Sequence, residues 1–202
     1  MRRRHLTVFI VLATLSGIGT LGGAAQKATD KSLFLVARRD LSDPLFKESV
    51  ILMLPSTESD DLVVGLIVNK PTRISLREVF PENPALKDRT DTVYFGGPVD
   101  IHTLSALFLS SKPIEQAVRL DGDLYISFDP NFIEETLVKP EEQVQEVRLF
   151  LGRAQWAPEQ LQGEILRRSW YSDREENSWI FRRDSENVWS VLIGRLESGT
   201  PI

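Results

Sequence analysis

Two histidines, twenty-nine acidic residues and no cysteine set the chemistry open to this 202-residue chain. The missing thiol removes cysteine nucleophiles, disulfides and cysteine-ligated zinc or iron–sulfur clusters. His5 falls in the N-terminal prefix, so a Ser-His-Asp hydrolase would rest on His102 alone. No Gly-x-Ser-x-Gly segment occurs anywhere in the chain. His102 follows Asp100-Ile101 in an expected loop, an ordinary place for a solvated histidine. No catalytic residue is assigned.

Carboxylates are plentiful, and Asp121, Asp123 and Asp129 form the best-ordered cluster. Asp121-Gly122-Asp123 is first a turn signal, however, and Asp129-Pro130 is first a helix start. The calcium-loop spacing with its closing glutamate is absent. No metal and no cofactor is expected. A pair of acids converging in a cleft, working as a hydrolase, is the residual enzymatic alternative.

Gly96-Gly97-Pro98 follows a strand-like segment and could turn backbone N–H groups toward an anion. Pro98 brings no N–H, and no lysine–serine pair follows, so a tight turn with positive φ is the competing reading. A helix is expected to open at Pro158 and run to about Trp170, with Leu161, Ile165, Leu166 and Trp170 on one broad face. Glu164 and Arg168 have the spacing of an ion pair on its surface. Trp156 precedes this helix, and Asn69-Lys70-Pro71 closes a strand. Loop positions of this kind carry function. The candidate ligand or partner groove is therefore Asn69, Gly96, Gly97, Trp156 and Gln160.

The elements that must position these residues can be read from apolar runs and punctuation. Residues 33–37 (LFLVA), 49–54 (SVILML) and 62–68 (LVVGLIV) are short apolar strands of the kind covered on both faces. Ser75 and Glu78 have capping-box spacing, so a short helix runs through Phe80 and stops at Pro81. Residues 93–95 form a strand, with another at 106–109. Residues 118–120 and 124–128 flank the Asp-Gly-Asp turn as a hairpin. A helix runs from Asp129-Pro130 to about Leu137, a strand covers 144–151, and a short strand covers 179–181. A final helix at 188–196 brings Val188, Leu192 and Leu196 into register. Hairpins with separated helices predict one α+β domain with a mixed, mostly antiparallel sheet.

The N-terminus reads as a three-part secretory signal: Arg2-Arg3-Arg4, an apolar run from Leu6 to Leu15, then small residues to Ala25. The expected division is a signal peptide at 1–25 and a single domain at 26–202, with its core at about 33–196. Cleavage after Ala25 would remove Arg2, Arg3 and Arg4 and take the net charge from −5 to −8. Such an acidic chain lacks the basic patch or stripe of a nucleic-acid binder. The uncharged run is also just long enough to span a bilayer, so an uncleaved inner-membrane anchor is the alternative.

Four blocks carry a resemblance. They are Leu33-Phe34-Leu35-Val36-Ala37 with Asp43-Pro44 and Phe46, then Ser49-Val50; Gly65-Leu66-Ile67-Val68-Asn69-Lys70-Pro71; Tyr94-Phe95-Gly96-Gly97-Pro98-Val99; and Leu151-Gly152 with Trp156, Gln160-Leu161, Glu164-Ile165 and Trp170. In order and spacing the chain resembles the AlgH/YqgE family of bacterial proteins over about 33–196. The resemblance implies a single α+β domain with coiled, partly bifurcated sheets and no established enzymatic activity. Some members are described as transcriptional regulators, and members are normally cytoplasmic without a leader. The chain departs from the pattern at Arg39, Arg153, Gln155, Glu159 and about Phe108, where the family favours proline, tyrosine, a small residue, glycine and histidine.

The function expected from residues and resemblance together is an exported, periplasmic, non-catalytic binding or interaction module. Its partner is expected to be a protein or small ligand, with membrane contact only through an uncleaved leader. A cytoplasmic transcriptional regulator is the alternative if the prefix is not a leader.

Overall fold

Adjacent side chains of the first strands face different hydrophobic cores, which is why those strands read as continuous apolar runs. The computed structural model describes residues 31–55 and 62–199, so the expected signal peptide at 1–25 lies outside the described residues. Among the described residues, nine strands and four α-helices follow in chain order: β1 (Lys31–Ala37), β2 (Val50–Met53), β3 (Val63–Ile67), α1 (Leu76–Val79), β4 (Val93–Phe95), β5 (Val99–Ser110) and β6 (Val118–Asp121). Then come β7 (Leu124–Ser127), α2 (Pro130–Val138), β8 (Val144–Trp156), α3 (Pro158–Leu166), β9 (Trp170–Glu176) and α4 (Ser185–Ser198), with a 3₁₀ turn at Asn177–Phe181 before α4. The fold is a single α+β domain around a curled, mostly antiparallel sheet.

The sheet runs β6-β7-β5-β8-β3-β2-β1-β9, and β4 joins β8 from the side as the one parallel pairing among the described residues. β8 is the seam. Over Val144–Arg153 it pairs with β5, while on its other edge it takes β4 at Leu149–Leu151 and then β3 at Ala154–Trp156. One long strand therefore serves two sub-sheets, changing partner from β4 to β3 between Leu151 and Ala154.

Side-chain parity distributes the core. Phe34, Val36, Val50, Leu52, Leu66 and Val68 face an inner core with Leu107, Phe150 and the α4 residues Val188, Leu192 and Ile193. Their neighbours Leu35, Ala37, Ile51 and Ile67 face outward beneath α3, against Trp156, Leu161 and Trp170. A second outer core lies under α1 and α2, where Ala106, Phe108 and Leu149 meet Leu76, Phe132 and Ile133. Burying a Leu, Ile, Val or Phe side chain stabilises by about 1.5–3 kcal/mol, so loss of any one layer would matter.

The capping box appears as expected: Ser75 accepts from the Glu78 N–H while the Glu78 carboxylate accepts from the Ser75 N–H. Asp129 caps α2 through the N–H groups of Asn131 and Phe132, with Pro130 in the first turn. The structure corrects the expected elements at the end of α3 and at residues 179–181. α3 ends at Leu166 rather than near Trp170, because Arg168 turns left-handed (φ 60°). The Ser169 N–H then donates to the Glu164 carbonyl and the Arg168 N–H to the Ile165 carbonyl, the pair of bonds that closes a Schellman motif. Trp170 opens β9, an edge strand paired along all of β1. Residues 179–181 form part of a 3₁₀ turn, not a strand. Among the described residues, no helix is long and apolar enough to cross a membrane.

Candidate functional site

Asn69 follows the end of β3 and spends both ends of its amide on the neighbouring loop. Its Oδ1 accepts from the Val50 N–H at 2.7 Å, and its Nδ2 donates to the Glu48 carbonyl at 2.9 Å. The side chain thus continues the ladder where the backbone cannot, and it holds Glu48 in a left-handed conformation (φ 58°). Lys70 reaches the same loop through Nζ, which donates to the Leu45 carbonyl at 2.7 Å. Burial pushes the Lys70 ammonium below the usual lysine range, against the pull of Glu48 and Asp43. Asp43 Oδ1 accepts from the Leu45 and Phe46 N–H groups. The loop at 43–48 is therefore pinned from three sides.

That loop delivers Phe46 onto two indoles. Phe46 stands 5.7 Å from Trp156 and 5.9 Å from Trp170, and the two tryptophans meet edge to face at 6.2 Å. A single carboxylate closes the cluster. Glu164 Oε2 accepts from Trp156 Nε1 at 3.2 Å and from Trp170 Nε1 at 2.9 Å, while Oε1 accepts from Gln160 Nε2 at 3.1 Å. The sequence pattern pairs Glu164 with Arg168, but the helix stops before Arg168 and the indoles take the carboxylate. Glu164 is not among the expected groove residues, although its place one helical turn after Gln160 puts it within reach.

The two glycines lie at a different place, where β4 leaves the seam strand. A Cβ on Gly96 would stand 2.3 Å from the Gly152 carbonyl oxygen, and one on Gly97 would meet the Ala154 nitrogen at 2.2 Å. Gly97 (φ 150°) and Gly152 (φ 74°) both need conformations that side chains avoid. The Gly96 N–H donates to the Leu151 carbonyl and its own carbonyl accepts from the Ile67 N–H. Of the five candidate groove residues, Asn69, Gly96, Gly97 and Trp156 are buried and Gln160 is exposed. The structure brings Trp156 and Gln160 together through Glu164, and it links Asn69 to them only through the 43–48 loop and Phe46.

Concave surfaces lie elsewhere among the described residues, and two of them bear on chemistry. The first is a groove of about 650 Å³ between α1, β5 and the start of α2. Ile74, Val79, Leu104 and Phe128 line it, with Glu78 and Glu134 among the same walls. His102 lines it too, from inside β5 rather than from a loop, and its side chain is exposed. The second is a polar cavity of about 700 Å³ against β4 and β8, lined in part by Arg89, Thr92, Tyr94, Glu146, Arg148 and Arg183.

Arg148 is the unusual group there, only 8% exposed. Its Nη2 donates to the Arg182 carbonyl at 2.7 Å and its Nη1 to the Val68 carbonyl at 3.4 Å. Its guanidinium lies over the Tyr94 ring, 4.3 Å from the centroid. Desolvation lowers its proton affinity, opposed by the fields of Tyr94 and Glu146. Nothing in the residue spacing points to Arg148 beyond one charge in an apolar stretch of β8. Among the described residues, no group of three or more histidine, aspartate or glutamate side chains is placed to hold a metal ion.

The comparisons with known proteins decide the family. A family model described as AlgH-like matches residues 34–200. The chain belongs to the AlgH-like family. It is 30% identical to a UPF0301 protein of Serratia proteamaculans over 172 residues, covering 81% of this chain and 89% of that protein. A UPF0301 protein of Bacteroides fragilis is 29% identical over 164 residues, 81% of each chain. Among solved structures, the AlgH protein of Pseudomonas aeruginosa superposes with a TM-score of 0.67 at 20% identity, covering 90% of this chain and 94% of that one. Protein DIP2367 of Corynebacterium diphtheriae gives 0.66 at 24% identity, covering 85% and 87%. These likenesses confirm the AlgH-like fold expected from the four sequence blocks.

Proposed function

We propose that this AlgH-like chain is exported and works in the periplasm as a non-catalytic interaction module. The arginine-tipped apolar prefix supports export. One structural observation carries the interaction half: apolar side chains stand exposed around a concave, acid-flanked groove. Phe128 is 50% exposed and Ile74 37%, at the mouth of the groove that also holds Glu78 and Glu134. Exposed apolar surface rimmed by charge is the signature of a docking face. The acidic flank selects a protein segment that combines apolar residues with lysine or arginine.

The test has two arms. N-terminal sequencing of the protein recovered from cell fractions is expected to start at Gln26 in the periplasm. A photo-crosslinking residue at Phe128 is expected to give one discrete adduct there, reduced by Glu78→Lys/Glu134→Lys, while one at exposed Leu166 gives none. Full-length protein confined to the cytoplasm would sink the export half. Equal adducts from both positions, or none, would sink the docking half.

A further inference from the structure

The polar cavity against β4 and β8 is separate from that groove and is charged differently. Around it, Arg89 is neutralised by a two-pronged bond to Asp91, both contacts at 2.7 Å. Asp88 lies 3.9 Å from Lys87. After these pairs, Arg148, Arg183 and Glu146 remain. Among the described residues, neither arginine has a carboxylate within 4.0 Å. Counting Asp88 and Asp91, the lining carries three carboxylates against three arginines, so what sets Arg148 and Arg183 apart is that neither guanidinium is paired, one buried and one exposed.

Arg148 gives these unpaired donors a fixed geometry. A guanidinium offers five N–H donors in a flat fork, and only two are spent here, both on main-chain carbonyls. Stacking on Tyr94 fixes the plane of the fork. The bond to the Arg182 carbonyl also anchors the segment that carries Arg183 to the same wall. A desolvated cation with neutral acceptors alone keeps much of its field, because carbonyl dipoles do not cancel a unit charge. Planar forks of this kind match the paired oxygens of carboxylate and phosphate. Thr90 and Thr92 add hydroxyl-bearing side chains to the lining.

We infer that this cavity is a binding site for a small organic oxyanion, held by Arg148 and Arg183 through its charged head. The volume, about 700 Å³, is in the range of small-molecule sites and leaves room for an organic body behind the head. A phosphoryl and a carboxylate head satisfy the fork equally, and they are separated by experiment.

Isothermal titration of the purified domain uses four probes: inorganic phosphate, glycerol 3-phosphate, succinate and neutral glycerol. Saturable binding of at least one oxyanion, with none of glycerol, is expected. Arg183→Gln is expected to weaken it by about tenfold or more, and Arg148→Lys, which keeps the charge but loses the fork, by a comparable factor. Lys112→Gln, at an exposed lysine outside the cavity lining, is expected to leave it unchanged. Binding of glycerol 3-phosphate alone assigns a phosphoryl head, and binding of succinate alone assigns a carboxylate. Arg183 is exposed, so its variant tests the site even if Arg148→Lys fails to fold. No saturable binding of any anion, or equal weakening by Lys112→Gln, would overturn the inference.

Discussion

Gly152 and Gly97 cross so closely that a Cβ on Gly152 would stand 2.3 Å from the Gly97 carbonyl oxygen. The contact is backbone against backbone, so no side-chain rotation relieves it. It occurs where β4 meets the seam strand β8 and lets one sheet split into two.

Gly152→Ala is therefore expected to be strongly destabilising, since the left-handed backbone (φ 74°) alone costs about 1–3 kcal/mol for a residue with a side chain. Gly194→Ala is the control. It lies within α4, and a Cβ added there would meet nothing within 4 Å, so alanine should stabilise by about 0.8–1 kcal/mol through helix propensity. Urea unfolding of the two variants should give midpoints displaced in opposite directions. A neutral Gly152→Ala would show that the crossing relaxes.

Asn69→Ala removes the bracket between β3 and the 43–48 loop. The Val50 N–H loses its acceptor in a buried setting, at a cost of about 1–3 kcal/mol. Released from Asn69, Glu48 should leave its left-handed conformation, and Phe46 should lose its fixed approach to the tryptophans. Hydrogen exchange at the Val50 amide is expected to accelerate well beyond that of Val36, its β1 partner. Equal acceleration at both would mean global destabilisation rather than a local bracket.

How far the sequence foretells this arrangement follows from which signals are local. The strands with continuous apolar runs, the Ser75–Glu78 capping box and the Asp129-Pro130 helix start are all legible, because each depends on residues within one turn or one strand. β9 is not. Its segment, WYSDREE, is an edge strand whose charges mostly face solvent, so it shows no apolar run, and its existence depends on pairing with distant β1. The end of α3 is hidden because Arg168 occupies the left-handed position that glycine ordinarily announces. At the site level, Trp156 and Gln160 stand out as neighbours of a helix start. Arg148 does not, since its meaning comes from Tyr94, Val68 and Arg182, which are remote in sequence and adjacent only in the fold.

Glu164 joins two indoles that would otherwise hold unpaired N–H groups. Glu164→Leu leaves both without an acceptor and is expected to cost about 2–4 kcal/mol, with Glu164→Gln milder because an amide oxygen can still accept. The readout is the pair of indole N–H resonances of Trp156 and Trp170. Both should move in Glu164→Leu. A shift confined to one of them would mean that the carboxylate serves that tryptophan alone.

The capping box sets a pH dependence with a definite sign. Hydrogen bonds from the Ser75 main-chain N–H and then from its hydroxyl hold the Glu78 carboxyl below the ordinary glutamate value. A folded-state pKa depressed in this way means that the unfolded chain binds the proton more readily. The contribution of Glu78 to α1 is thus complete above the unfolded glutamate pKa and is lost as pH falls through the lower folded value. Because the carboxylate is fully solvated, salt screens the effect and only the local helix should respond. Carboxyl-carbon NMR titration should place Glu78 below the same glutamate in an unstructured peptide of this sequence, with the α1 amide shifts following the same curve. Ser75→Ala removes the hydroxyl but keeps the main-chain donor, so the titration should move only part of the way back. Glu78 titrating in the unaltered protein as it does in the unstructured peptide would show that the capping box does not persist in solution.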